Sequence, residues 1–254
     1  MSSPGPASEL VSEQLADWLY CLRTPTVAVF AIRQSTGFIL VDSGVVGYEH
    51  VYMHALTEIA GGAPGDVRVT EILLTHCDND HIGSAAALKA MTGACVRGPA
   101  LDAAVIEGRA ERPHPRLREW EAPLFEQVGH LVPPAPRVAL DELLGDGDTL
   151  GWERPAEVLA APGHTAGSVV VYFPENHVLI AGDAVATISG EPTTGVFNVD
   201  PDQAEDSLQR LAQLDVSILC VGHGLPITAD AHARLMRAAR SGYPRGSEPG
   251  APRA

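Results

Sequence analysis

Between Thr75 and His81 the chain reads THCDNDH, which crowds two imidazoles and two carboxylates (His76, Asp78, Asp80 and His81) into six positions. Three later segments end in the same kind of residue: VLAAPGH on His164, VLIAGD on Asp183 and SILCVGH on His223. The last side chains of a buried strand face the open edge of its fold, so four such ends can meet. One histidine at a strand end is ordinarily hydrogen-bonded structure, but four strand ends in agreement are the pattern of a metal centre. The set holds four imidazoles and three carboxylates, too many for a single tetrahedral zinc. It suits two divalent ions that share a carboxylate and generate hydroxide near neutral pH.

Elements that could position these groups can be read along the chain. Short apolar runs bounded by turn residues predict strands at 26–33, 37–44, 71–76, 94–99, 156–164, 167–174, 177–184 and 217–224, several of them buried on both faces. Helical spacing falls at 48–60, 81–91, 202–214 and 229–240, the third with Asp202 as its expected cap. GFILVDSG (37–44) and HVLIAGDA (177–184) are alike, each ending in an aspartate beside a glycine, which hints at two similar halves. Residues 100–137 break the pattern with six prolines and a helical stretch at 116–130, where Trp120, Leu124 and Phe125 could form an apolar face. An insertion over the site is the expectation there. His114 and His130 lie within it and could reach a substrate. The expected organisation is a single domain over 1–240, followed by a disordered tail at 241–254.

Composition narrows the partners. A formal net charge of -15 argues against nucleic acid, whose phosphates need clustered Lys and Arg. Four scattered cysteines form no CxxC pair, and the first ten residues carry neither the basic flank nor the apolar core of a signal peptide. The longest apolar run is far too short to span a bilayer. These features predict a cytoplasmic protein acting on a small molecule. Cys77 sits among the candidate ligands, but alternation along an extended segment aims it away from positions 76 and 78.

The four motifs together resemble the metallo-β-lactamase superfamily, whose signature is T-H-x-H-x-D-H, then P-G-H-T-x-G-S, A-G-D and G-H-G. Here THCDNDH (75–81), PGHTAGS (162–168), AGDA (181–184) and VGHG (221–224) follow in that order, and the resemblance spans roughly residues 25 to 240. It implies an αββα sandwich, two mixed sheets flanked by helices. It also implies that His76 and His164 hold a first metal, that Asp80, His81 and His223 hold a second, and that Asp183 bridges them. Asp42, at the end of ILVD, matches an aspartate that orients site groups.

The departure from the family falls at Asp78, where most members have histidine. Asp78 either ligates the first metal as a carboxylate or hangs short and leaves that metal weakly held. Two divalent ions, one hydroxide, three aspartates and four neutral histidines sum to zero formal charge, whereas histidine at 78 would leave +1. The added anion lowers Lewis acidity, so iron or manganese joins zinc among the expected ions. The resemblance implies a hydrolase whose metal-bound hydroxide attacks an ester, thioester, lactone or amide carbonyl, with Asp80 orienting the nucleophile. A di-iron oxygenase or oxygen reductase on the same fold is the alternative that Asp78 admits.

Overall fold

In the computed structural model, which describes residues 10–63 and 65–241, the period-2 alternation of the strands sorts apolar side chains into three cores. The first sheet runs β1 (Val11–Ala16), β2 (Leu19–Arg23), β3 (Ala28–Gln34), β4 (Gly37–Val41), β5 (Val69–Leu73), β6 (Cys95–Pro99) and β7 (Glu142–Leu144), in that spatial order. The second holds β8 (Thr149–Leu150), β9 (Ala156–Ala160), β10 (Val169–Phe173) and β11 (Val178–Ile180). A separate hairpin follows, β12 (Val185–Ile188) with β13 (Glu191–Thr194), and β14 (Ile218–Cys220) then adds beside β11.

Phe30, Ile32, Ile39 and Val41 of the first sheet meet Val169, Val171 and Phe173 of the second in a shared central core. Their neighbours Val29, Ala31, Phe38 and Leu40 point the other way. There they meet Tyr52 and Leu56 of α1 (Glu49–Ala60) and, beyond the short α2 (Asn79–Ile82), Leu88 of α3 (Ala85–Thr92). Two short helices, α4 (Ala103–Ile106) and α5 (Glu121–Val128), lie within the 100–137 stretch. On the outer face of the second sheet, Val170, Tyr172 and Leu179 pack with Leu208 and Leu211 of α6 (Pro201–Leu211) and Leu235 of α7 (Ala231–Ser241). The layering is therefore helices, sheet, sheet, helices, as the αββα expectation required.

The likeness of GFILVDSG and HVLIAGDA has a structural counterpart. β3 and β4 pair antiparallel, then β4 pairs parallel with β5; β10 and β11 pair antiparallel, then β11 pairs parallel with β14. After β4 and after β11 the backbone turns through a positive φ, 64° at Asp42 and 49° at Gly182. Both turns release a chain end toward the same edge, where the candidate site lies.

Several elements differ from the sequence expectation. β1 is exposed along most of its length and β12–β13 are short, so neither showed an apolar run. The helix expected over 81–91 is broken between Ile82 and Ala85, because Gly83 passes close to the 44–46 turn: a Cβ there would stand 2.3 Å from the Val46 amide nitrogen. The third long helix is capped by Asp200, which accepts from the Gln203 N–H at 3.2 Å, with Pro201 at its first position; Asp202 lies inside it. α5 buries Glu121; of the residues expected to form an apolar face, Phe125 packs edge-on against Phe197 at 5.1 Å between ring centroids and Trp120 is partly buried, while Leu124 is 37% exposed and turns away. The tail expected at 241–254 lies, beyond Ser241, outside the described residues.

Candidate metal centre

The knot begins where β5 leaves the sheet. Thr75 is pinned by Asp42, which accepts from its backbone N–H at 2.8 Å and from its hydroxyl at 2.9 Å. Asp78 is extended (φ -72°, ψ 143°), and its carbonyl accepts from the N–H groups of His81 and Ile82. Asp80 and His81 are thus carried on the single turn of α2. His164 lies within the tight PGHT turn, in which Gly163 (φ 132°) leaves no room for a Cβ beside the Ala204 backbone. His223 follows β14, and Asp183 follows β11.

All four imidazoles are held in one way: Nδ1 faces an oxygen and Nε2 is turned toward the centre. His76 Nδ1 lies 2.9 Å from Thr75 Oγ1 and His81 Nδ1 lies 2.8 Å from Asp42 Oδ2. His164 Nδ1 lies 3.3 Å from Asn198 Oδ1, and His223 Nδ1 lies 2.9 Å from the Thr26 carbonyl. Asn198 donates its Nδ2 to the Gly195 carbonyl at 2.6 Å, which leaves its oxygen facing the ring. Such anchoring fixes the tautomer that presents a lone pair at Nε2.

The inward atoms form three overlapping groups: His76, Asp78 and His164; His76, His81 and Asp183; Asp80, His81 and His223. Within each group the ligand atoms lie within 4.8 Å of one another. Asp183 stands between the groups. Its Oδ1 is 3.2 Å from His81 Nε2, and its Oδ2 is 3.1 Å from His223 Nε2 and 3.7 Å from His164 Nε2. His76 Nε2, His81 Nε2 and Asp183 Oδ1 are buried with no hydrogen-bond partner. Buried polar atoms without partners are costly, and three facing one point fit a divalent cation. His76, His81 and His164 are almost fully buried, whereas the His223 side chain is 35% exposed, so the centre opens at His223.

The electrostatics agree. Burial drags the His76 imidazole down to about 4, as expected of a ring enclosed beside other imidazoles. Burial acts the same way on His223, but the Asp183 and Asp80 carboxylates override it and raise that ring to about 10. Burial opposes ionisation of Asp183, yet the charges on His223 and His81 hold it well below the usual carboxylate range. The carboxylates draw cationic charge to the rings, and a divalent ion would supply that charge and displace the protons.

Three further residues support the site. Asp102 is buried and accepts from the Cys77 N–H (3.0 Å), the Thr165 hydroxyl (2.6 Å) and the Gly167 N–H (2.9 Å), so it ties the knot to the PGHTAGS turn. Gly222 makes room for the centre: a Cβ there would stand 2.2 Å from Asp183 Oδ1 and 2.7 Å from His81 Cε1. Arg112, from the 100–137 stretch, grips Asp78 with a two-nitrogen fork, Nε on Oδ1 and Nη2 on Oδ2 at 3.0 Å. Asp78 Oδ2 also lies 3.0 Å from His164 Nε2 and 3.8 Å from His76 Nε2. One oxygen of Asp78 thus lies beside the rings of the first group while the arginine holds both. Cys77 is buried in the core beneath α3 and offers no atom to the groups, and His114 and His130 are exposed and belong to none of them.

Among the described residues, no helix is long and apolar enough to cross a membrane. The family model of the metallo-β-lactamase superfamily matches residues 23–223. The chain is 26% identical to the probable metallo-hydrolase YflN of Bacillus subtilis (strain 168) over 209 residues, 75% of this chain and 76% of that one. It is 31% identical over 158 residues to a hydroxyacylglutathione hydrolase of Cereibacter sphaeroides, covering 61% of this chain but only 49% of that enzyme. The chain thus spans about half the length of that hydrolase. In fold it is similar to BJP-1, a subclass B3 metallo-β-lactamase of Bradyrhizobium japonicum, with a TM-score of 0.67, 20% identity, and coverage of 91% of this chain and 90% of that one. The chain belongs to the metallo-β-lactamase superfamily, as a metal-dependent hydrolase.

Proposed function

We propose that the chain binds two divalent ions, zinc foremost, and hydrolyses the ester, thioester, lactone or amide carbonyl of a small molecule. The observation that carries this reading is the convergence of seven ligand side chains around buried atoms that have no other partner. His76, Asp78 and His164 would hold the first ion, Asp80, His81 and His223 the second, with Asp183 bridging. Bound ions would supply an acidified water and polarise the carbonyl. Asp80 orients the attacking water and accepts its proton: its Oδ2 lies 3.3 Å from His223 Nε2, at the open side of the centre. Burial opposes ionisation of Asp80, but the hydrogen bond with His223 holds its carboxyl below the ordinary range.

In this reading residues 1–240 form one domain, and the 100–137 insertion borders the substrate. The Ala135 N–H donates to Asn79 Oδ1 at 3.0 Å, and the Arg116 N–H donates to the Asn198 carbonyl at 2.9 Å, so the segment touches both edges of the centre. The similarity to hydroxyacylglutathione hydrolases makes a thioester the first substrate to try. The di-iron redox alternative rests on Asp78.

Metal content and an optical spectrum of protein purified without added metal, with a panel of esters, thioesters and lactones, test the proposal. Two zinc ions per chain and hydrolysis of a panel member are expected, and replacing Asp183 with alanine should abolish at least 99% of the activity, on the order of the 10²-fold or larger effects seen when a centre loses a charge-stabilising group. Full activity in that variant, or iron with oxygen-dependent turnover in the wild type, would overturn it.

A further inference from the structure

We propose that Asp78 and Arg112 act together as the charge equivalent of the histidine most of the family carries at this position, making Arg112 a positioning residue for the first ion. The inference rests on the two-ion reading above. Asp78 alone brings the formal charge of two divalent ions, hydroxide and ligands to zero; the Arg112 guanidinium, forked on that carboxylate, returns it to +1. That is the count that histidine at 78 would give. The pair therefore presents the first ion with an oxygen ligand but no net added anion, and the electrostatic case for a harder or more oxidised ion falls away.

The surroundings suit this role better than substrate binding. Every nitrogen of Arg112 already has a partner: Nε and Nη2 hold Asp78, and Nη1 donates to the Pro113 carbonyl at 3.0 Å. The side chain is 24% exposed, partly withdrawn from water, where a fork on a carboxylate is stronger than at the surface. The chain that carries it, ERPHPR (111–116), is stiffened by Pro113 and Pro115, which lowers the entropy lost in holding Arg112 in place. With both carboxylate oxygens engaged, Asp78 cannot rotate, and Oδ2 stays fixed toward His164 and His76.

A double-mutant cycle on the full chain, read as zinc stoichiometry and stepwise zinc affinity against a competing chelator, tests the pairing. Asp78→His alone leaves Arg112 as an uncompensated cation beside the first ion. It should weaken the first-position zinc about 10–100-fold, although it restores the family's commonest ligand. Adding Arg112→Met should recover two zinc ions and bring affinity to within about threefold of wild type. Circular dichroism of each variant establishes that it is folded, and Arg112→Lys, which keeps the charge but loses the fork, should fall between. If the wild type holds two ions and Asp78→His binds them equally well with and without Arg112, the pairing is wrong while the two-ion reading stands. A wild type that takes up one ion, unmoved by any change at 78 or 112, sinks both.

Discussion

Asp42 Oδ2 lies 2.8 Å from Nδ1 of His81, and the opposite nitrogen of that ring lies 3.2 Å from Asp183. One carboxylate outside the cluster thereby sets the direction of a ring inside it. The same oxygen accepts from the Thr75 hydroxyl, which in turn meets His76 Nδ1, so Asp42 orients two ligands through two routes. Asparagine tolerates the left-handed backbone of position 42 (φ 64°), so Asp42→Asn changes the chemistry and spares the turn. Zinc affinity, measured by chelator competition, should fall about 10–100-fold with the fold intact. Undiminished affinity would show that neither ring depends on Asp42.

Asp102 makes a second prediction, on stability as well as metal. Its carboxylate only accepts, and it receives three donors from two different loops. Asparagine keeps the shape but turns an N–H toward one of them. Asp102→Asn should cost about 3 kcal/mol, from a lost charge-assisted bond and an unsatisfied donor. For a domain of this size that is a fall in Tm of roughly 10 °C, read by calorimetry. The first ion should loosen at the same time, because His76, Asp78 and His164 sit on the loops that Asp102 joins. An unchanged Tm would mean that the loops are held by other contacts.

The candidate ligands and Asp42 were legible in the sequence and the other supports largely were not, for a physical reason. His76, Asp183 and His223 each end an apolar run, so a local pattern marks them. The layered fold was legible through the same runs, because burial on both faces leaves uninterrupted, largely apolar runs in β10 and β11. Arg112, Asp102 and Thr26 act across 34, 25 and 197 positions, and their residue types are ordinary in loops. One signal did exist for Arg112. A third carboxylate in a buried site needs a cation nearby, and the insertion is rich in arginine. The exposed β1 gave no such signal, since pairing and not burial maintains it, and the β12–β13 hairpin, although Val185 is buried, is too short to show an apolar run.

The cysteines give a chemical test of the packing. Cys21, Cys77 and Cys220 are buried, and Cys95 is partly exposed. Burial pushes the Cys21 thiol up to about 12 and raises Cys220 well above its ordinary value. A buried thiol that stays protonated reacts slowly. Iodoacetamide at neutral pH should label Cys95 first, with the other three protected until denaturant is added, as read by peptide mass spectrometry. Fast native labelling of Cys77 would contradict its place beneath α3.

Gly222 offers the sharpest steric prediction. Its backbone is not left-handed, so alanine strains nothing in the main chain. The added methyl would instead meet Asp183 Oδ1 at 2.2 Å and His81 Cε1 at 2.7 Å, well inside contact distance. Neither neighbour can retreat easily: His81 is fixed by Asp42, and Asp183 stands against His223 and His164. Relief must come from displacing the Asp183 carboxylate. Displacements of about 1 Å at a catalytic centre cost on the order of 10²-fold in rate. Gly222→Ala should therefore lose at least one ion and about 99% of hydrolysis while its circular dichroism matches the wild type. A variant that keeps both ions and full turnover would show that Asp183 does not stand where bridging requires it.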